Sequence, residues 1–183
     1  MKNVRMKRIS TYFTMLVFIA LTVACGGEDA GDSEFTGNEV RMELIPGTVS
    51  GNTTSGTLLI RERTTGEAQL DITLNNVITG AEHPVHLHFG SLDDNGDVAT
   101  YLTTLRETDG VGVSSTILTR LDNDESVSFS SLITFNGSIK IHFEASGPLE
   151  DAVLGSANIG LNSGENEAYL NGLKSITTCN SNF

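Results

Sequence analysis

Ala68, Leu70, Ile72 and Leu74 alternate with Gln69, Asp71 and Thr73, which lays four apolar side chains on one face of an extended segment. The same two-residue period returns at Val85, Leu87 and Phe89. From Val40 onward no stretch sustains an apolar period of about 3.6 residues, so strands rather than helices must build the core. Residues 40–45, 57–63, 68–74, 85–89, 98–105, 112–119, 126–135, 138–144 and 152–161 read as strands. Turn formers separate them at Pro46-Gly47, Gly66, Asn75-Asn76, Asn95-Gly96, Asp109-Gly110, residues 122–125, Asn136-Gly137 and Gly147-Pro148. This predicts an all-β fold, a Greek-key antiparallel β-sandwich or flattened barrel of about eight strands. Asn136-Gly137, between Ile133 and Ile139, reads as the best two-residue hairpin turn. In the polar tail, residues 168–176 fit either a last strand or a short helix.

The chain has 183 residues, enough for one domain, and its 38% apolar and 19% charged residues can build a core. A wholly disordered chain or a collagen-like repeat is thereby excluded. A net charge of −12 argues against nucleic acid or an anionic lipid surface as partner. Two cysteines cannot make a disulfide scaffold, and no C-x-x-C pair offers a thiolate zinc site.

Lys2, Arg5, Lys7 and Arg8 precede an uncharged, mostly apolar run over residues 12–24, the pattern of a secretory signal peptide. The run is short for a permanent span and is followed at once by Gly26, Gly27, Glu28 and Asp29. Ala24-Cys25 at its end resembles a bacterial lipoprotein signal, in which the cysteine becomes the first, lipid-bearing residue of the mature chain. The resemblance implies cleavage after residue 24, lipidation of Cys25 and anchoring to the membrane, here the outer membrane of a bacterial envelope. Loss of residues 1–24 removes those four basic groups and no acid, deepening the charge from −12 to −16. Residues 25–38, rich in Gly, Ser and acids, read as a tether. Acids directly behind the cysteine also look like the surface-export signals of Bacteroidetes lipoproteins; a plain solvated spacer is the alternative. The domain then occupies residues 39–165 and a tail residues 166–183.

The histidines carry the candidate chemistry. In Val85-His86-Leu87-His88-Phe89 the apolar residues face one side and both imidazoles the other. Ile139, Ile141 and Phe143 likewise face inward and leave His142 on the polar face with Lys140 and Glu144. Imidazoles two apart on a strand can converge on one ion at roughly 2 Å. His86, His88 and His142 are therefore candidate metal ligands, with His83, ahead of Pro84, as a further candidate. Imidazole ligation favours copper or zinc over calcium or magnesium. The alternative is a set of ordinary hydrogen-bonded strand histidines. Asp93, Asp94, Asn95 and Asp97, and Asp122, Asp124 and Glu125, read as turns and solvated loops rather than calcium sites. Cys179 reads as an unpaired thiol, with an intermolecular contact as one use for it.

The segment His86-Leu87-His88-Phe89-Gly90, the Asn95-Gly96 turn, the extended run to Leu105 and the later Ile141-His142 resemble a CHRD domain, the β-rich chordin-type module of bacterial exported proteins. The resemblance covers roughly residues 40–161 and implies a Greek-key β-sandwich of binding or structural role, without established enzymatic activity. The same residues also resemble copper/zinc superoxide dismutase, which would make His86, His88 and His142 copper ligands. Here no histidine lies between His88 and His142 and no arginine follows Arg120, so that family's bridging histidine and late active-site arginine have no counterpart. The enzyme this resemblance implies is a degenerate dismutase.

Overall fold

The computed structural model describes residues 34–179 apart from Thr79 and Asn95. The signal segment, Cys25 and most of the tether lie outside the described residues. Among the described residues the alternating runs form eight antiparallel strands: β1 (Phe35–Pro46), β2 (Ser55–Arg63), β3 (Ala68–Asn75), β4 (Glu82–Phe89), β5 (Val98–Thr108), β6 (Val111–Leu118), β7 (Asn136–His142) and β8 (Val153–Gly160). They close into a barrel in the order β1-β2-β3-β6-β5-β4-β7-β8, with β1 and β8 joined through Ile45 opposite Ser156 and Pro46 opposite Gly155. Of the alternatives the sequence leaves, this is the barrel.

Period-two patterning fills its interior. Leu58 and Ile60 of β2, Leu70, Ile72 and Leu74 of β3, Leu87 of β4, Leu105 of β5 and Ile139 and Ile141 of β7 are all at most 2% exposed. They form one continuous apolar cluster. Leu87 is opposite Ile139 on one side and Thr100 on the other, so the strand bearing His86 and His88 is anchored by a residue that faces the barrel axis.

Three local expectations change, and one choice left open is settled. Residues 126–135 are not a strand. Ser128 caps a helical turn, α1 (Phe129–Leu132), in which Ser128 Oγ accepts from the Ser131 amide and Ser131 Oγ from the Ser128 amide. Phe129 and Leu132 then plug the barrel's end. Asn136-Gly137 is not a hairpin turn but the start of β7, where a Cβ on residue 137 would stand 2.4 Å from the Phe135 ring. The two-residue hairpin turn is instead Asp109-Gly110, both at positive φ (54° and 82°) between paired Thr108 and Val111. Phe35 to Asn38, assigned to the tether on composition, belong to β1, because the Phe35 ring packs under the Arg61 guanidinium at 3.8 Å. In the tail, residues 166–170 settle as a short helix, α2 (Asn166–Leu170).

The tail also explains the difference between the two sides of the barrel. On β3 and β6 buried and exposed residues alternate, whereas β7 is buried on both faces from Gly137 to His142 and β8 from Val153 to Ile159. Outside those strands Ile45, Leu92 and Tyr169 form a second apolar cluster, with Ile176 packed against it. The Thr177 amide donates to the Leu92 carbonyl and the Cys179 amide to the Asp151 carbonyl, which holds the last described residues across the outer face of β4, β7 and β8. Asn158 reinforces this cover by accepting the Leu92 amide on its side chain at 2.8 Å.

Candidate metal centre

Strands β4 and β7 are neighbours, with His86 opposite Lys140 and His88 opposite Ser138. The parity read from the sequence therefore puts His86, His88 and His142 on one outward face. That face is not solvated: the three are 5%, 4% and 3% exposed, and Lys140 among them is 1% exposed. The expectation of a polar, open face is corrected by the tail, which roofs it. Their rings gather, with centroids 4.4 Å apart for His86 and His142 and 5.9 Å for His86 and His88. One ring nitrogen from each lies within 4.8 Å of the others.

Two tautomers follow from the main chain. His88 Nδ1 is 3.1 Å from the Gly96 carbonyl and His142 Nδ1 is 2.8 Å from the Glu150 carbonyl. A carbonyl only accepts, so each Nδ1 carries the proton, and in the neutral ring Nε2 keeps its lone pair. Burial, reinforced by the charges of His142 and His88, pushes His86 down to about 3. Burial also brings His88 down to about 4, against the Gly96 carbonyl and with help from Lys140 and His142. His142 falls in the same direction, again chiefly through burial, with the Glu150 carbonyl opposing. At neutral pH the three rings are uncharged donors, the form a metal ion takes.

His83 is not in this group. Its Nδ1 donates to the carbonyls of His142 (3.1 Å) and Phe143 (2.6 Å), so it pins the main chain of β7 beside the bulge at Ile141 and His142. On one side the centre meets solvent. His86, His142, Pro84, Tyr101, Glu144 and Glu150 line a cleft of about 320 Å³, with Tyr101 edge-on to His86 at a centroid distance of 4.7 Å.

Against His88 and His142 lies a residue that spacing did not nominate. Cys179 is 5% exposed, and its Sγ is 3.3 Å from His142 Nε2 and 3.8 Å from His88 Nε2. Cys179 is thus an unpaired thiol, as read from the sequence, but a buried one, which disfavours its use in an intermolecular contact. Burial pushes the thiol up to about 11, opposed by Lys140 and assisted by Asp151. The one hint in the sequence is the apolar Ile176 shortly before it, which marks a tail with something to bury.

The acidic clusters are turns. Asp94 Oδ2 accepts from the Ser91 amide, and Asp93 pairs with Lys174 at 3.1 Å. The Leu121 amide donates to the Glu125 carbonyl across Asp124, which sits at φ 68°. No protein-family model and no curated protein matches the chain.

Proposed function

We propose that this chain is an exported, lipid-anchored β-barrel domain of CHRD type that holds a copper or zinc ion at the bacterial outer membrane in a binding or structural role. The observation that carries the reading is the convergence of three buried, uncharged imidazoles whose ring nitrogens lie within 4.8 Å of one another. Ligation near 2.0–2.1 Å draws tetrahedral nitrogens to about 3.3–3.4 Å, a closure that side-chain rotation supplies. Burying several imidazoles around one another has little use in packing, since each forfeits water for few hydrogen bonds. A metal ion repays that cost. The donor set suits copper or zinc and offers no oxygen cage for calcium or magnesium.

The strand order, with β3 beside β6 and β4 beside β7, supports a Greek-key reading of the barrel. Lipidation of Cys25 and an acidic tether would hold the domain at the membrane, and the acidity of the exported chain disfavours nucleic acid. A second reading, the degenerate dismutase, is favoured by one observation: His86 and His142 line a solvent-reaching cleft through which a small anion could approach.

The test uses the full chain purified in detergent and stripped of metal, titrated separately with zinc and copper. One ion per chain is expected, with affinity falling at least a hundredfold in His86→Ala. Wild type that binds no more metal than the variant removes both readings. Superoxide turnover by the copper-loaded protein would favour the enzyme; copper bound without turnover leaves the binding module. The mass of the mature N-terminal peptide reports whether Cys25 carries lipid.

A further inference from the structure

We propose that Cys179 is the fourth ligand of this centre, so that the C-terminal segment closes a three-histidine, one-cysteine site for zinc or monovalent copper. The inference rests on the three-histidine reading above and adds the ligand that selects among metals and leaves no coordination position free.

The distances carry it. A tetrahedral ion with metal–sulfur near 2.3 Å and metal–nitrogen near 2.0–2.1 Å sets sulfur and nitrogen about 3.5–3.6 Å apart. Cys179 Sγ stands 3.3 Å from one Nε2 and 3.8 Å from the other, on either side of that value. Both nitrogens are the ones left with lone pairs by the Gly96 and Glu150 carbonyls. A thiol has one hydrogen and can donate to only one of them, so hydrogen bonding alone does not account for a sulfur poised between two acceptors. An ion does, because the sulfur and both Nε2 lone pairs can point at it.

The approach is built, not incidental. Cys179 is held by its own amide on the Asp151 carbonyl, while Lys140 Nζ holds the Thr177 carbonyl at 2.9 Å. Ile176 docks on the second apolar cluster. The segment thus enters with its main chain fixed at Thr177 and Cys179 and brings the sulfur to the His88 and His142 Nε2 atoms. On binding, the Cys179 S–H bond breaks, a sulfur–metal bond forms and the proton leaves to solvent, with no change of oxidation state for zinc. Thiolate softness favours zinc or monovalent copper. With four protein ligands the centre is of the closed, structural kind and has no position for a substrate.

Cobalt(II) tests this, because only a thiolate ligand gives a sulfur-to-cobalt charge-transfer band in the near ultraviolet. The full chain is stripped of metal and titrated anaerobically with cobalt(II). Wild type is expected to show the band together with tetrahedral visible absorption. Cys179→Ser is expected to lose the band, keep visible absorption and bind at least tenfold more weakly, whereas His86→Ala keeps neither. Saturable cobalt binding by wild type without the band overturns the role of Cys179 and leaves the three-histidine site standing. Unchanged affinity and spectrum in Cys179→Ser do the same. Failure of wild type to bind cobalt or zinc removes both. The wild-type spectrum alone decides the ligand should the variant fold poorly.

Discussion

Lys140 Nζ, on β7, donates to the main-chain carbonyl of Thr177 at 2.9 Å, which ties a buried ammonium of the barrel wall to the segment that roofs the histidines. Burial draws Lys140 below the usual lysine range, with Cys179 and Asp94 acting against that pull. The bond is a charge-assisted one in a dry setting, so its loss should be felt locally. Lys140→Met keeps most of the volume and removes the donor. Amide hydrogen exchange at Thr177 and Cys179 should quicken about tenfold, as expected for a loss of about 1.5 kcal/mol, while β2 and β3 amides stay protected. Unchanged exchange at Thr177 would show that apolar contacts alone hold the roof.

Leu87 stands between His86 and His88 and points the other way, fully buried against the barrel axis. The site's two paired histidines therefore depend on a core residue for their placement. Leu87→Ala should cost about 2–5 kcal/mol through lost burial and the cavity left behind. Urea denaturation measures it, and a loss below about 1 kcal/mol would mean that the interior refills without cost.

These residues also show how far sequence reading reaches. Alternation at Ala68 to Leu74, at Val85 to Leu87 and at Ile139 to Ile141 is a local property, and it yields β3, β4 and the common facing of His86, His88 and His142, whereas Phe89, expected on the core face, is 37% exposed past the register shift at Leu87 and His88. Residues 126–135 mislead because their β-rich composition hides a Ser128–Ser131 capping box, and a short-range hydrogen-bond pair outweighs propensity over one turn. The roof is harder. Lys140 looks like a solvated lysine, and only a segment some 40 residues later makes it a buried one. β8 does carry a trace of this, since Ser156 and Asn158 put small uncharged groups on the outward face where an exposed strand would carry charge. For Cys179 the sequence offers no more than the nearby apolar Ile176, because its placement depends on chain closure across the whole domain.

Far from the metal centre, Asp71 on β3 lies 2.6 Å from Arg61 Nη2 and also accepts from Ser115 Oγ at 2.6 Å. Burial raises its pKa, but hydrogen bonds from Ser115, Gln69 and Arg61 together outweigh that and leave the carboxyl below its ordinary value. A carboxylate lowered by folding stabilises the native state above its unfolded pKa of about 3.9, and this contribution disappears as pH falls through the folded value. Asp71→Asn should therefore lower the unfolding free energy measured by urea denaturation at pH 6 by about 1 kcal/mol for a half-screened pair. The difference from wild type should shrink steadily below pH 4. A gap that stays constant with pH would assign the effect to packing instead.

Metal removal gives the broadest test, since an ion bound to the folded chain alone stabilises it by mass action. At free zinc a hundredfold above the dissociation constant the gain is about 2.7 kcal/mol. For a domain of this size each kcal/mol moves the midpoint by about 2–4 °C. Thermal melts of the stripped chain should thus rise by roughly 5–11 °C on adding zinc and return on adding a chelator. Because the roof supplies Cys179 and the barrel supplies His86, His88 and His142, zinc should also slow amide exchange at residues 176–179, not only on β4 and β7. The same zinc added to His86→Ala should move neither the melt nor the exchange. Equal shifts in wild type and variant would mean that zinc acts elsewhere on this acidic surface, and the buried histidines would then be packing groups held by the Gly96 and Glu150 carbonyls.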